Sequence, residues 1–131
     1  MLRVTLISAV LAFGAVGLSA QDDLAQYQTM MKAAVAANGA LRAAITAKDT
    51  AAGTTAANNE AAAFDKIAAF WQTKGADDAL KFAQSARDAA KAAAAATTPE
   101  DMQAAAAKIN PNCGGCHGAH RGGSQGNFTI K

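Results

Sequence analysis

The 131-residue sequence contains few of the residues that form strands, tight turns or large cores. It has only two prolines, two cysteines, five phenylalanines, one tyrosine and one tryptophan. Its β-branched residues never form an alternating run, which argues against half-buried strands. Alanine, the strongest helix former, dominates the chain after residue 20. The sequence therefore predicts an all-α fold without strands.

The sequence also lacks an excess of charge of either sign. The formal net charge is +2, and without Arg3 eleven basic residues face ten acidic ones. A nucleic-acid-binding domain normally carries a strongly basic face. The charge balance therefore excludes nucleic acid as the expected partner.

Residues 1–20 have the pattern of a secretory signal peptide. Arg3 precedes an apolar run over residues 4–18, and small residues stand just before the polar Gln21. The run is shorter than the ~20 residues that a membrane-spanning helix needs. We expect cleavage after residue 20, a periplasmic protein of residues 21–131, and no membrane span in the mature form. The alternative is an uncleaved membrane anchor.

Four amphipathic segments favour an antiparallel four-helix bundle, because the links between them are short. The first segment repeats small or apolar residues at a spacing of three and four from Leu24 through Tyr27, Met31 and Asn38 to Ile45, which is typical of a bundle seam. The predicted helices cover residues 22–48, 55–74, 77–96 and 99–109, with Thr98 as an N-cap, Gly75 as a stop and a break between residues 48 and 53.

The second segment carries Phe64, Ile67 and Trp71 on one stripe. After residue 109, Asn110 and Pro111 are expected to kink or re-cap the chain, with Asn110 as the cap and Pro111 in the first turn of a helix that carries the cysteines.

Residues 113–117 read C-G-G-C-H, which is the attachment signature of haem c. On a helical turn, Cys113 and Cys116 lie on one face and can form thioethers with the two porphyrin vinyl groups. His117 then lies beneath the ring and can bind the iron as an axial ligand. We expect one covalently bound haem c. The haem would also fill a core that has few bulky side chains and would otherwise bury little apolar surface.

Three other uses of these residues compete with haem. A disulfide between Cys113 and Cys116 would close a very small loop and stabilise little. A thioredoxin-like pair would require a βαβ context that the sequence lacks. A zinc site from both cysteines, His117 and His120 would crowd four ligands into eight residues, tighter than the separated pairs that such sites use.

The second axial ligand is less constrained than the first. His120 follows His117 by one helical turn and cannot reach the opposite face of the ring. Met102 lies about 22 Å away if the helix is continuous, at 1.5 Å per residue. Of the two methionines on the first helix, Met31 lies on the seam and Met30 is rotated about 100° from it. Two alternatives remain, Met31 as the sixth ligand or Met31 as a core residue over five-coordinate iron.

With this motif near the end of a four-helix pattern, the sequence resembles the class II c-type cytochromes, the cytochrome c′ family. The resemblance covers the whole mature chain. Arg121, four residues after His117, matches the family's basic residue beside the proximal imidazole. Met31 and Lys32, followed by residues 39–42, look like the family's low-spin branch, in which a first-helix methionine is the sixth ligand.

The resemblance implies further properties. In the same register, Gln28 would lie near a haem propionate, and a homodimer is implied because dimers are common in the family. The low-spin branch implies a mono-haem carrier that passes single electrons between redox partner proteins. The five-coordinate branch implies the alternative, a protein that binds nitric oxide or carbon monoxide.

The sequence offers no arrangement that favours an enzyme. No second histidine or paired carboxylate is placed to cleave an O–O bond. The tail, residues 122–131, is rich in Gly and Ser. Its composition leaves open whether it folds back onto the bundle or extends into solvent.

Overall fold

The structure is a computed structural model that describes the backbone of residues 16–131 and the side chains of residues 20–131. Most of the predicted signal peptide, residues 1–20, therefore lies outside the described residues. Within the described part, the chain is predominantly helical and ends in a short two-stranded sheet. The elements are α1 (Val16–Ala47), α2 (Thr50–Lys74), α3 (Asp77–Ala94), α4 (Pro99–Ala106), α5 (Ile109–His120), β1 (Arg121–Ser124) and β2 (Asn127–Ile130).

The first link is shorter than predicted, and α2 begins at Thr50 instead of residue 55. Lys48 adopts a left-handed conformation with φ 56°, which reverses the chain. The side chain of Asp49 then accepts a hydrogen bond from the backbone N–H of Ala52 at 2.9 Å. This N-cap satisfies one of the backbone donors that a helix start leaves without a partner. A cap on Asp49 explains why the break spans only two residues.

Gly53 was predicted to help break the chain, yet it lies buried inside α2. A Cβ at this position would collide with the Sδ of Met102 and lie 2.9 Å from its Cε. Met102 belongs to α4 and is fully buried. The glycine therefore allows close packing of α2 against Met102, and it does not mark a turn.

The predicted fourth helix is divided into α4 and α5. Thr98 is the N-cap of α4, as predicted, and its Oγ1 accepts from the N–H of Asp101 at 3.1 Å. Ile109, predicted at the end of this helix, is instead the first residue of α5. Pro111 is tolerated in the first turn of α5 because its missing N–H would have no partner there. The C-G-G-C-H motif thus lies on a helix of its own.

The helices pack side by side as a bundle. α2 packs against α1 and α3, and α3 packs against α4 and α5. The predicted seam of α1 is confirmed, since its side chains are half-buried and Leu41 on the same face is fully buried. The predicted stripe of α2 is also confirmed, since Phe64, Ile67 and Trp71 are buried. Alanine supplies most of the remaining core. None of the helices in residues 16–131 combines the length and the apolar character needed to cross a membrane.

The expectation of a strand-free chain is wrong for residues 121–130. β1 and β2 form an antiparallel hairpin in which Arg121 pairs with Ile130. Gly123 and Gly126 adopt positive φ values of 77° and 85°, which favour glycine and let the short strands turn. The tail folds back onto the bundle, because Ile130 packs against the core and the N–H of Lys131 donates to the carbonyl of His120 at 2.8 Å.

Candidate functional site

The three motif residues lie together on α5. Cys116 is buried, with 9% of its surface exposed, and Cys113 and His117 are half-buried. Both thiols are free. Cysteines three residues apart on a helix lie on neighbouring positions of one face. This helix therefore presents two thiols and an imidazole within little more than one turn.

Two adjoining cavities border this turn. The inner cavity has a volume of about 190 Å³ and lies among α1, α2, α3 and the start of α5. The outer cavity has a volume of about 610 Å³ and lies between α1, the end of α5 and the hairpin. The unfilled space agrees with the thin core expected from the sequence. Both cavities are lined by Tyr27, Met31, Val35, Cys116 and His117.

The three candidate methionines, Met30, Met31 and Met102, differ in whether they line the cavities. Met31 lines both cavities, on the α1 side facing the motif. Met30 lines neither cavity and packs at the edge of the core. Met102 is fully buried against Gly53 and also lines neither cavity. Of these three thioethers, only that of Met31 shares a cavity with His117.

The two remaining predicted residues lie at the outer cavity. Gln28 and Arg121 are both exposed and both line it. The Arg121 guanidinium lies 4.5 Å from the ring centre of Phe128, which holds it against the hairpin. Lys32 lines the same cavity, so two cations border the outer cavity.

The surroundings of Cys113, Cys116 and His117 disfavour the charged forms of these three side chains. Burial raises the pKa of Cys116 to about 11, and burial together with the Glu60 carboxylate raises the pKa of Cys113. Burial and the nearby Arg121 charge lower the pKa of His117. The imidazole is therefore held in the neutral form that binds metals. Thiols with raised pKa values lack the thiolate character of redox-active cysteine pairs.

His120 has a structural role that the sequence left open. Its Nε2 lies 2.8 Å from Asp78 Oδ2 at the start of α3, and its ring lies 4.9 Å from that of Trp71 on α2. Trp71 Nε1 in turn donates to the hydroxyl of Tyr27 on α1 at 3.2 Å. These contacts connect α5 to the three long helices and orient the motif.

Glu60 is a residue of this site that sequence reasoning missed. Its side chain lines the inner cavity on α2 and is only 1% exposed. Oε1 accepts from Asn38 Nδ2 at 2.8 Å, and Oε2 has no hydrogen-bond partner among the described residues. Burial raises the pKa of this carboxyl. A signal existed, because Glu60 precedes Phe64 and Ile67 by four and seven residues on the buried stripe of α2.

The residues present are compatible with a covalently attached haem. Two free thiols one turn apart, a neutral imidazole beside them and largely apolar unfilled space are what such attachment requires. The zinc alternative has less support, because residues 16–131 contain no group of three or more His, Cys, Asp or Glu side chains that could hold a metal ion.

A scan of protein-family models and searches of curated proteins and of solved structures find no match to this chain.

Proposed function

We propose that this protein is an exported mono-haem c-type cytochrome, similar to class II cytochromes, that transfers single electrons between redox partner proteins. Cys113 and Cys116 would hold haem c through thioethers, His117 would be one axial ligand, and Met31 would be the other. When bound, the haem would supply a one-electron Fe(III)/Fe(II) couple.

One observation carries the proposal: Cys116 and His117 on α5 and Met31 on α1 line the same two cavities, and Cys113 lines the inner one. α5 offers the thiols and the imidazole, and α1 offers a thioether across the unfilled space. A sulfur ligand opposite an imidazole raises the reduction potential. It would also leave the iron without an open position for a substrate, which suits electron transfer better than catalysis.

The residues around the outer cavity suit the polar end of a haem. Lys32 and Arg121 border this cavity, and no acidic side chain in the described part of the chain does. Two cations can neutralise two propionates, and a guanidinium can bind a carboxylate through two hydrogen bonds. The inner cavity has the opposite charge, because Glu60 is its one acidic side chain. This asymmetry favours propionates that point outward.

The second candidate function is capture of nitric oxide or carbon monoxide at a five-coordinate iron. The inner cavity favours it, since its volume of about 190 Å³ leaves space beside Met31 for a diatomic gas. The two functions differ only in whether the Met31 sulfur binds the iron.

The first experiment measures the mass and the visible spectrum of the purified exported protein. The proposal expects the mass of the mature polypeptide plus one haem that denaturation does not release. It also expects a low-spin spectrum that carbon monoxide does not readily change. A colourless protein with the mass of the bare polypeptide would contradict the proposal. A high-spin spectrum that shifts at once with carbon monoxide would support the second function.

The second experiment compares Met31→Ala with Met30→Ala. The two residues are neighbours on α1, but only Met31 lines the cavities. We expect Met31→Ala to convert the protein to a high-spin form that binds carbon monoxide, and Met30→Ala to keep the original spectrum. Two unchanged spectra would remove Met31 as a ligand. A loss of the low-spin form in Met30→Ala alone would assign the ligand to Met30.

A further inference from the structure

A carboxyl group is buried next to the proposed haem site without any positive partner. Glu60 is 1% exposed, and its one hydrogen bond, from Asn38, satisfies Oε1 only. None of the ion pairs among the described residues involves Glu60. An uncompensated buried carboxylate is costly, so such a group is sensitive to any charge that appears or disappears nearby.

The groups that face Glu60 across the inner cavity come from three helices. α3 presents only apolar side chains there, Phe82 and Ala83, and α1 presents the amide of Asn38. Among residues 20–131, no lysine, arginine or second carboxylate lines this cavity. The titratable side chains that line it with Glu60 are Tyr27 on α1 and Cys113, Cys116 and His117 on α5.

Haem attachment would leave Glu60 as the group free to exchange a proton in this cavity. The two thiols would become thioethers, and His117 would bind the iron. Burial raises the pKa of Tyr27 far above its ordinary value, so its hydroxyl keeps its proton at physiological pH. Burial raises the pKa of Glu60 above its ordinary value. The positive charge of a nearby iron would lower the pKa of Glu60, and it would do so more strongly in the ferric state than in the ferrous state.

We propose that Glu60 is a redox-linked proton site, which takes one proton from solvent when the haem site accepts one electron and releases it on oxidation. This inference rests on the proposed function. In the oxidised protein, the ionised carboxylate would balance part of the additional positive charge of the site. An electron from a one-electron donor removes that charge, and a proton then binds at Oε2 and neutralises the carboxylate. One negative and one positive charge enter together, so the net charge of the cavity is unchanged.

The sign of the effect on the reduction potential follows from this exchange. Ionised Glu60 stabilises the oxidised state and so lowers the potential. Where one proton accompanies one electron, the potential falls by up to 59 mV for each pH unit, which is the equivalent of a tenfold change for a one-electron couple. At low pH, Glu60 is neutral in both oxidation states and this dependence disappears.

The test is a spectroelectrochemical titration of the holoprotein between about pH 5 and pH 9, on the wild type, Glu60→Gln and Glu100→Gln. Gln at position 60 keeps the size of the side chain and an acceptor for Asn38. Glu100 is the chain's other glutamate and lies exposed in the first turn of α4, which makes it the matched control. We expect a falling potential in the wild type and in Glu100→Gln. In Glu60→Gln we expect a flatter profile with a higher potential at alkaline pH.

A second measurement on the wild type covers the case in which Glu60→Gln does not fold. With glutamate labelled by ¹³C, the reduced-minus-oxidised infrared spectrum should gain a label-sensitive band of a protonated carboxyl group, which Glu100→Gln retains. Equal slopes in the wild type and Glu60→Gln, or no labelled carboxyl band, would overturn this inference while a normal haem spectrum keeps the proposed function. A protein without haem would overturn both.

Discussion

Substituting Gly53 tests whether this glycine allows α2 to pack closely against Met102. Gly53→Ala removes a helix-interior glycine, which by itself stabilises a helix by about 1 kcal/mol. The new Cβ would collide with the Sδ of Met102, which is fully buried, so the methionine side chain would have to shift within the core. Overpacking of this kind costs about 1–3 kcal/mol. We therefore expect Gly53→Ala to be neutral or to lose up to about 2 kcal/mol of stability.

Gly39→Ala is the matched control, because Gly39 lies inside α1 and a Cβ there would meet nothing within 4 Å. It should gain about 1 kcal/mol. The helix propensity term is the same in both variants, so the difference between them of about 1–3 kcal/mol isolates the collision with Met102. In a domain of about 100 residues, each kcal/mol shifts the Tm by roughly 4–8 °C.

The assay is urea unfolding followed by far-UV circular dichroism, with thermal melting as a second readout. In a Met102→Ala background the collision is absent, so adding Gly53→Ala should stabilise the protein by about 1 kcal/mol. The reasoning fails if Gly53→Ala and Gly39→Ala are equally stable in the wild-type background. It also fails if Met102→Ala leaves the effect of Gly53→Ala unchanged.

Two further predictions concern single hydrogen bonds, and a third concerns the buried carboxyl group of Glu60. Trp71→Phe and Tyr27→Phe each remove the hydrogen bond between these side chains and should couple by about 1 kcal/mol in a double-mutant cycle of thermal unfolding, whereas additive losses would show that the bond is not formed. Thr98→Ala removes the N-cap of α4 and should cost about 1 kcal/mol in urea unfolding, while Thr98→Ser keeps the hydroxyl, so equal midpoints would contradict the cap. Burial raises the pKa of Glu60, so the folded state holds this proton more tightly than the unfolded state, and stability should fall as the pH rises from the ordinary value of 4.5 through the raised pKa. Glu60→Gln should remove that decline in a series of unfolding curves, and a decline of the same size in the variant would refute the assignment.

Helices and their buried faces were predictable because these properties depend on neighbours three and four residues away. The α1 seam through Leu41 and the α2 stripe through Phe64 and Trp71 follow this spacing, and the structure buries all three side chains. The Thr98 cap was equally readable, since its partner Asp101 lies in the same turn. The predicted helix boundaries were less accurate. Asp49 caps α2, so this helix begins at Thr50, before Gly53, which was expected to lie in the link.

Some residues of the candidate site were likewise predictable from local sequence, and others depend on contacts between helices. Cys113, Cys116 and His117 are close in sequence, so their shared helical turn follows from local geometry. Met31 could be distinguished from Met30 by its seam position, and Met31 alone of the two lines the cavities. Glu60 carried a local signal too, as a carboxylate on an apolar stripe, but its pairing with Asn38 joins two helices. No periodicity within one helix could reveal that contact.

Local interactions along the chain, meaning helix propensity, the three-and-four spacing and the caps, were enough to predict the helices and the motif on α5. Three features depend on contacts between residues far apart in sequence: Gly53 inside a helix against Met102, the hairpin that lines the outer cavity together with α1, and the burial of Glu60 beside the inner cavity. Each of these arises because the energy of burying a group depends on which distant surface covers it, and that surface exists only once the helices have packed.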